Sequence, residues 1–126
     1  MGEPAGWACG KGPEHFWGEL DGQMVGFASF GRVRDPDLDP TTVGEIYAIY
    51  APPSAWGRSA GRALWLQMLD ELHATPFKFV TLWVLTDNVR GRRFYERASF
   101  APDGGAKSIV VSGENLSEIR YHRALP

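Results

Sequence analysis

The segment EIYAIYAPPSAWGRSAGRAL, residues 45–64, contains a strand, a turn and the start of a helix. Positions 43–51 are rich in β-branched and aromatic residues, which favours a strand. Pro52 and Pro53 end this strand, because neither ring carries a backbone N–H that could pair in a sheet. Small residues at 57–61 then lead into a helical run whose first N–H groups have no partner and lie at the positive end of the helix dipole. This arrangement favours the binding of a phosphate.

Known phosphate-binding motifs separate the folds that share this arrangement. The glycine spacings of the P-loop and of the dinucleotide-binding fingerprint are both absent from the segment. The segment instead resembles motif A of the GCN5-related N-acetyltransferases (the GNAT superfamily), Gln/Arg-x-x-Gly-x-Gly/Ala. Trp56, Ser59 and Gly61 stand at the first, fourth and last places of that motif, so two of its three fixed positions are altered.

A second segment, residues 84–100, resembles the other signature of that superfamily. The signature consists of a strand, an asparagine at the turn and a helix with a tyrosine near its end, which correspond here to Asn88 and Tyr95. Gly91 and Ala98 stand where alanine and glycine are more usual. One amphipathic helix and one apolar strand separate the two motifs, in the expected order, and the pair is more specific than either motif alone.

Length and composition restrict the class of protein. A chain of 126 residues that is 44% hydrophobic and 13% aromatic is typical of one packed domain. The formal net charge of −2 gives no electrostatic reason to expect nucleic-acid binding. No apolar run approaches the roughly 20 residues that span a bilayer, and the N-terminus has no signal-peptide pattern. We therefore expect a cytoplasmic protein that does not contact a membrane.

Candidate metal ligands are few. Cys9 is the only cysteine, which excludes an internal disulfide and a cluster of thiolate ligands. His15, His73 and His122 lie far apart in the sequence and show no ligand spacing. The sequence therefore predicts no metal.

The first part of the chain predicts an arm and a hairpin. Residues 1–14 contain four glycines and two prolines, and we interpret them as an irregular N-terminal arm that precedes a single domain at 15–126. Apolar runs at 16–20 and 24–32 flank Asp21-Gly22, a dipeptide typical of hairpin turns.

The loop after this hairpin, residues 33–42, is polar and carries Asp35, Asp37 and Asp39. We interpret it as a solvated loop. Contact between its carboxylates and a cationic substrate is the alternative.

Glu45 interrupts an apolar row in the strand that follows. Alternation along a strand places Val43, Glu45, Tyr47 and Ile49 on one side and Ile46, Ala48 and Tyr50 on the other. An unpaired buried carboxylate costs several kcal/mol, so Glu45 is a candidate for a site that takes up protons unusually readily. A wet or salt-bridged residue at a strand end is the other interpretation, and the sequence does not decide between them.

The remaining residues predict two helices and three strands. The predicted elements are a helix at 60–73, a strand at 77–85, a helix from Asp87 or Asn88 to about 97, a turn at 101–106, and strands at 107–112 and 117–123. The strand at 77–85 is apolar on both alternating sets, which indicates burial on both faces. The resulting order, βββαβαββ, places helices after the third and fourth strands, so we expect that pair to be parallel within a mixed sheet.

The resemblance covers about residues 16–125 and implies a mixed α/β sheet of the GNAT type, here without the usual first strand and two helices. Members of the family hold acetyl-CoA in a V-shaped cleft between the motif A strand and the next parallel strand. The resemblance implies a cofactor-binding set of Ile49, Tyr50, Ala51, Trp56, Gly57, Arg58, Ser59, Ala60, Gly61, Arg62 and Asn88. Residues 49–51 would offer backbone groups to the pantetheine arm, and residues 56–62 would surround the pyrophosphate.

The resemblance also implies an enzyme that moves the acetyl group of acetyl-CoA directly to a primary amine. Tyr95 occupies the general-acid position, from which it would protonate the departing thiolate. Glu45 occupies a position that in some members deprotonates the ammonium, directly or through water. The acceptor would be an amine of a small molecule or a peptide, which the sequence does not identify.

Two further expectations follow from the segments that the resemblance lacks. The absent first strand and helices normally supply much of the acceptor wall, and Trp56 and Ser59 alter the loop, so a degenerate, non-catalytic CoA-binding or interaction module is the alternative function. A sheet without its first strand also leaves an exposed edge, which favours self-association as a homodimer.

Overall fold

The structure of the protein, a computed structural model, describes residues 6–12, 15–50 and 59–125. Its elements in chain order are β1 (Trp7–Gly12), β2 (His15–Leu20), β3 (Gln23–Arg32), β4 (Val43–Tyr50), α1 (Ser59–His73), β5 (Phe79–Leu85), α2 (Val89–Arg97), β6 (Ala101–Val111) and β7 (Glu114–Ala124). The strands form one seven-stranded sheet in the order β1-β2-β3-β4-β5-β7-β6. Among the described helices, neither α1 nor α2 has the length and apolar content needed to cross a membrane.

The sheet is mixed, as predicted. β4 and β5 pair in parallel, and the other neighbouring strands pair antiparallel. The predicted hairpin between β2 and β3 is confirmed, with Asp21 at φ 52° and Gly22 at φ 81°. Ser112 and Gly113 repeat this pattern between β6 and β7, at φ 52° and 80°. Two consecutive positive φ values are the mark of a type I′ turn, whose twist matches that of the paired strands.

The hydrophobic core lies between the helices and one face of the sheet. The apolar stripe predicted for α1 enters this core through Leu64, Trp65, Met68 and Leu72. Alternate residues of β5, namely Val80, Leu82 and Val84, pack against the stripe, while Thr81 is buried on the opposite face. The burial predicted for both faces of this strand is confirmed on the core face and at Thr81, whereas Phe79, on the same face as Thr81, is 44% exposed. Tyr95 and Ala98 of α2 pack on the same core, so both helices cover the same face.

Residues 7–12 form the edge strand β1, although the sequence predicts an irregular arm there. β1 pairs antiparallel with β2, from Trp7 opposite Leu20 to Gly12 opposite His15. The ring of Trp17 lies over Gly10, where a Cβ atom would approach an indole carbon to 2.1 Å. The prediction of an irregular arm is therefore wrong for this segment. The observed order is ββββαβαββ, with one strand more than predicted.

A β-bulge in β4 changes which side chains share a face. Phe30 pairs with Ile46 and Ser29 with Ala48, so the register passes over Tyr47. One inserted residue reverses the alternation beyond it. Ile46 and Ile49 consequently both reach the core side, whereas the sequence predicts them on opposite faces. That prediction is wrong after Ile46, because the apolar run around Tyr47 carries no mark of the bulge.

The predicted turn at 101–106 is part of β6. Pro102 pairs with Tyr121 and Ala106 with Ile119, so three residues of β6 bulge opposite Arg120. Gly104 supports the bulge with φ 92°, a value that side chains rarely allow. The predicted strand at 107–112 therefore begins too late.

Arg120 of β7 is a buried cation that binds three carboxylates. Its side chain is 8% exposed and forms ion pairs with Asp35 at 3.1 Å, Asp37 at 2.8 Å and Asp103 at 2.7 Å. The hydrogen bond with Asp37 raises the pKa of Arg120 and lowers the pKa of Asp37. Trp83 also donates from Nε1 to Asp35, at 3.0 Å. The prediction of a solvated loop is thus wrong for Asp35, which is held by the sheet.

The C-terminal end of α2 is strained at Ser99. Ala98, which occupies the usual glycine position of the second signature, has φ −87° and needs no left-handed conformation. Ser99 has φ 72° instead. Its amide donates to Glu96 at 3.1 Å, and the Phe100 amide donates to Tyr95 at 2.9 Å, so these bonds fix the strained residue.

We expect Ser99→Gly to raise the free energy of unfolding by up to about 1 kcal/mol. A left-handed residue with a side chain costs roughly 1–2 kcal/mol, and the larger unfolded-state entropy of glycine cancels part of the gain. Urea unfolding followed by circular dichroism measures the change. Ser99→Ala is the control, because alanine keeps the strain. A loss of stability in Ser99→Gly would contradict the assignment.

Candidate active site

β4 and β5 separate partway along their length. Their parallel ladder runs from Val43 opposite Phe79 to Ile46 opposite Leu82. β4 then continues to Tyr50, while β5 continues to Leu85 and stays paired with β7. The edge of β4 after Ile46 therefore faces a gap between the two strands. This gap lies where the resemblance to acetyltransferases implies a V-shaped cleft.

Part of the predicted cofactor-binding set lies beside this gap. Ile49 packs against the core, and the Tyr50 side chain lies on the other face, with its ring centroid 5.8 Å from that of Phe27. Both residues belong to the part of β4 that does not pair with β5. Their backbone groups lie on the strand edge that does not pair with β5, and their contact with a cofactor stays a prediction.

After β4, the structure describes the chain again from Ser59 onward. Ala51, Trp56, Gly57 and Arg58 lie outside the described residues. Ser59, Ala60, Gly61 and Arg62 form the first turn of α1, which contains no acidic residue. The first amides of an α-helix lack partners within the helix, and the Arg62 side chain is exposed. These groups suit a phosphate or another anion.

Asn88 is the N-cap of α2. Its Oδ1 accepts a hydrogen bond from the Gly91 amide at 3.0 Å. A Cβ atom on Gly91 would lie 2.5 Å from Asn88 Nδ2, which accounts for a glycine inside this helix. The structure therefore gives Asn88 a capping role, and its contact with the cofactor stays a prediction.

Glu45 is buried and ion-paired. Its side chain is 3% exposed, and Arg34 Nη2 donates to Oε2 at 2.8 Å. Oε1 accepts from the Arg34 amide at 3.0 Å and from Arg34 Nε at 3.4 Å. The sequence left two interpretations of Glu45 open, and its contacts agree with the second, in the salt-bridged form. Glu45 is buried, however, and is therefore not a wet residue at a strand end.

Tyr95 lies in a cluster of aromatic rings on the helix side of the sheet. Its ring centroid is 5.5 Å from that of Phe94, 6.0 Å from Phe100 and 6.4 Å from Trp65. Burial raises the pKa of Tyr95 to about 12. None of the described residues forms a hydrogen bond with its hydroxyl. The hydroxyl is therefore protonated at neutral pH and available to a ligand.

Glu45 and Tyr95 lie on opposite faces of the sheet. Glu45 pairs with Thr81, one residue before the gap, and shares the face away from the helices. Tyr95 packs with Trp65 of α1 on the helix face. Two groups that can exchange protons thus lie on opposite sides of the sheet in which the gap opens.

Sequence reasoning missed Arg34. It precedes Asp35 in a polar loop, and no local pattern connects it with Glu45 on the next strand. The pairing arises because Val33 is 5% exposed and its amide donates to Val43 at 3.1 Å, which brings the following residue beside β4. An apolar residue, Val33, directly before Arg34 was the one signal in the sequence.

Sequence comparison finds a family model and related acetyltransferases. The model described as the acetyltransferase (GNAT) family matches residues 2–100. A mycothiol acetyltransferase of Sanguibacter keddieii is 39% identical over 82 residues, which are 65% of this chain and 26% of that protein. One from Frankia casuarinae is 37% identical over 91 residues, covering 68% of this chain and 26% of that protein. The match therefore spans about a quarter of these relatives.

Structural comparison finds the same fold. The yncA protein of Salmonella typhimurium, solved with its cofactor acetyl-CoA, has a TM-score of 0.73 and 22% identity, with 89% of this chain and 64% of that chain covered. At these identities the similarity concerns the fold.

Proposed function

Because the chain belongs to the acetyltransferase (GNAT) family, we propose that it moves the acetyl group of acetyl-CoA directly to a primary amine. The observation that carries this proposal is the gap between β4 and β5, which opens directly after Glu45 and Ile46. An interior strand with an open edge offers backbone donors and acceptors in a position where a sheet normally has none. In the proposed complex, the cofactor would pair with these backbone groups.

Two described parts of the chain would hold acetyl-CoA. The open edge of β4, including Ile49 and Tyr50, would bind the pantetheine arm, and the first turn of α1 would bind the pyrophosphate. Residues 51–58 connect these two parts. Once bound, acetyl-CoA supplies the thioester carbonyl that the amine attacks and the thiolate that leaves. An amide on the β4 edge could donate to the oxygen of that carbonyl as negative charge develops on it.

Glu45 and Tyr95 would handle the protons. Glu45 removes a proton from the acceptor ammonium, directly or through one water, and the electron pair left on nitrogen makes the amine a nucleophile. Tyr95 donates its proton to the departing thiolate. Glu45 lies on the face away from the helices and Tyr95 on the helix face, so the two transfers would occur on opposite sides of the gap.

The acceptor would be a primary amine on a small molecule or a peptide. The names of the similar proteins include mycothiol acetyltransferases and a ribosomal-protein-S18-alanine N-acetyltransferase from Escherichia coli. A thiol-release assay with acetyl-CoA and a panel of polyamines, amino acids, amino sugars and alanine-initiated peptides tests this proposal. Mass spectrometry should detect the acetylated product. Binding of acetyl-CoA with no amine acetylated would favour the non-catalytic alternative.

We expect Gly61→Trp to weaken acetyl-CoA binding by at least tenfold. An indole in the first turn of α1 should hinder the approach of the pyrophosphate to the helix amides. Calorimetry with acetyl-CoA measures the affinity. Leu66→Trp is a matched control, since Leu66 is 40% exposed on the same helix but beyond the first turn. Equal affinity in wild type and Gly61→Trp would contradict the cofactor site.

A further inference from the structure

Arg34 binds Glu45 through both its backbone and its side chain. The amide donates to Oε1 at 3.0 Å, and Nη2 donates to Oε2 at 2.8 Å. The Arg34 side chain is 66% exposed, whereas that of Glu45 is 3% exposed. The guanidinium carbon also lies 4.2 Å from the centre of the Tyr47 ring. Arg34 is therefore a solvent-facing cation fixed over a buried carboxylate.

The two oxygens of Glu45 are not equivalent. A carboxylate offers about four lone-pair directions, two on each oxygen. Oε1 accepts from the Arg34 amide and, at a longer 3.4 Å, from Nε. Oε2 accepts from Nη2. Among the contacts of the described residues, the remaining acceptor capacity of this carboxylate therefore lies on Oε2.

We propose that Arg34 is the positioning residue of Glu45 and that the acceptor's proton is received at Oε2. This inference rests on the proposed function. The N–H bond of the ammonium breaks, its electron pair stays on nitrogen, and an O–H bond forms on Oε2, directly or through one water. Arg34 fixes the orientation of the carboxylate through the hydrogen bonds that its amide and guanidinium donate.

The surroundings of Glu45 leave this role to Arg34. Gly31 of β3 lies opposite Glu45 and has no side chain, and Thr81 of β5 donates to the Gly44 carbonyl. On the same face, Tyr47 donates to the Arg32 carbonyl, and His122 lies beyond Thr81 on β7. The hydrogen bond to Glu45 raises the pKa of Arg34, and Asp35 adds to the same effect. Arg34 is the described cation in contact with the Glu45 carboxylate.

A purely structural role for Arg34 makes a different prediction. The pair could serve only to attach the loop to β4, through the bond between Val33 and Val43 and the contacts of Arg34. Arg34→Met would then lower the free energy of unfolding and leave kcat and its pH profile near the wild-type values. The pH profile of turnover therefore separates the two roles.

The first measurement needs no acceptor. Carbon-13 NMR of protein labelled at the glutamate carboxyl groups follows the titration of Glu45, assigned by comparison with Glu45→Gln. We expect Arg34→Met to move the titration midpoint upward, because a buried carboxylate without its cation takes up a proton more readily. Arg34→Lys should restore much of the wild-type midpoint. Arg32→Met, at an exposed arginine two residues earlier, is the control.

The second measurement uses putrescine, glycine and alaninamide as acceptors with acetyl-CoA. For the amine that reacts fastest, Arg34→Met should lower kcat at pH 7 by about tenfold or more, move the acidic limb of the pH profile upward, and change KM little. Arg34→Lys should retain the wild-type limb. A wild-type kcat and acidic limb in Arg34→Met, with stability alone reduced, would overturn the inference. If no amine reacts, the proposed function fails on these acceptors, while the NMR result still decides whether Arg34 controls Glu45.

Discussion

Tyr95→Phe is expected to lower turnover by about 10²–10⁴-fold, the usual contribution of a general acid, with little change in acetyl-CoA affinity. The substitution removes one hydroxyl and keeps the ring that packs against Trp65, Phe94 and Phe100. Since the hydroxyl would act only when the thiolate leaves, binding before that step should not depend on it. Thiol release measures turnover, and calorimetry measures affinity.

The pH dependence of stability provides a second test of the Tyr95 hydroxyl. Burial raises the pKa of its hydroxyl to about 12, whereas the value in an unfolded chain is about 10. The stability that comes from keeping this group neutral is therefore complete below about pH 10 and is lost as the pH rises toward about 12. Tyr95→Phe should remove this part of the alkaline loss of stability.

Tyr121→Phe is the matched control. The Tyr121 hydroxyl is also on the helix side, where it accepts from Arg92 at 3.0 Å and donates to Glu96 at 2.7 Å. Its loss should reduce stability by about 1 kcal/mol and leave turnover near the wild-type value. Equal turnover in wild type and Tyr95→Phe would remove Tyr95 from the mechanism.

Arg120→Met is expected to lower the free energy of unfolding by about 3–5 kcal/mol at pH 7. Methionine fills much of the volume of arginine but leaves the carboxylates of Asp35 and Asp103 without their cation. Their side chains are 15% and 14% exposed, so water compensates them only in part. Arg120→Lys should recover part of the loss, because an ammonium keeps the charge but lacks the planar set of donors that reaches three carboxylates.

The loss of unfolding free energy in Arg120→Met should depend on pH. Arg120 lowers the pKa of Asp37, so this contribution to stability is present above about pH 4 and is lost as the pH falls through the folded pKa. The difference between the unfolding free energies of wild type and Arg120→Met, measured in urea, should therefore become smaller at acidic pH. Lys107→Met is the control, since Lys107 and Arg120 both lie over the Trp83 ring. Lys107 is the more exposed of the two, so its loss should reduce stability much less. Similar losses in both variants would contradict the assigned role of Arg120.

Local patterns in the sequence predicted the elements that local chemistry determines. The periodicity of α1, the apolar alternate sets of β5 and the Asp21-Gly22 turn each depend on neighbouring residues, and the structure confirms all three. The two signatures also led to the family that the comparisons establish. The roles of Glu45 and Tyr95 come from the resemblance alone and stay predictions.

Long-range contacts account for what the sequence did not predict. Trp7–Gly12 contains few β-formers and becomes a strand because β2 pairs with it and Trp17 covers Gly10. Asp35 is held by Arg120, which lies far along the chain. Nothing in the run around Tyr47 distinguishes a bulged strand from a regular one. Asp35 depends on a partner distant in sequence, whereas β1 and the bulge depend on how neighbouring strands pair, and single-sequence patterns identify neither.

The strand order has a consequence for synthesis on the ribosome. β5 pairs with β4 over four positions and with β7 over seven, and β7 is the last strand that the structure describes. A nascent chain that has not yet released Glu114–Ala124 therefore presents one side of β5 unpaired, although the helices that cover it are already complete. An open apolar strand of this kind readily pairs with the wrong segment. The Ser112-Gly113 turn between β6 and β7 brings β7 back along the sheet, so β5 gains its second neighbour only when β7 has been synthesised.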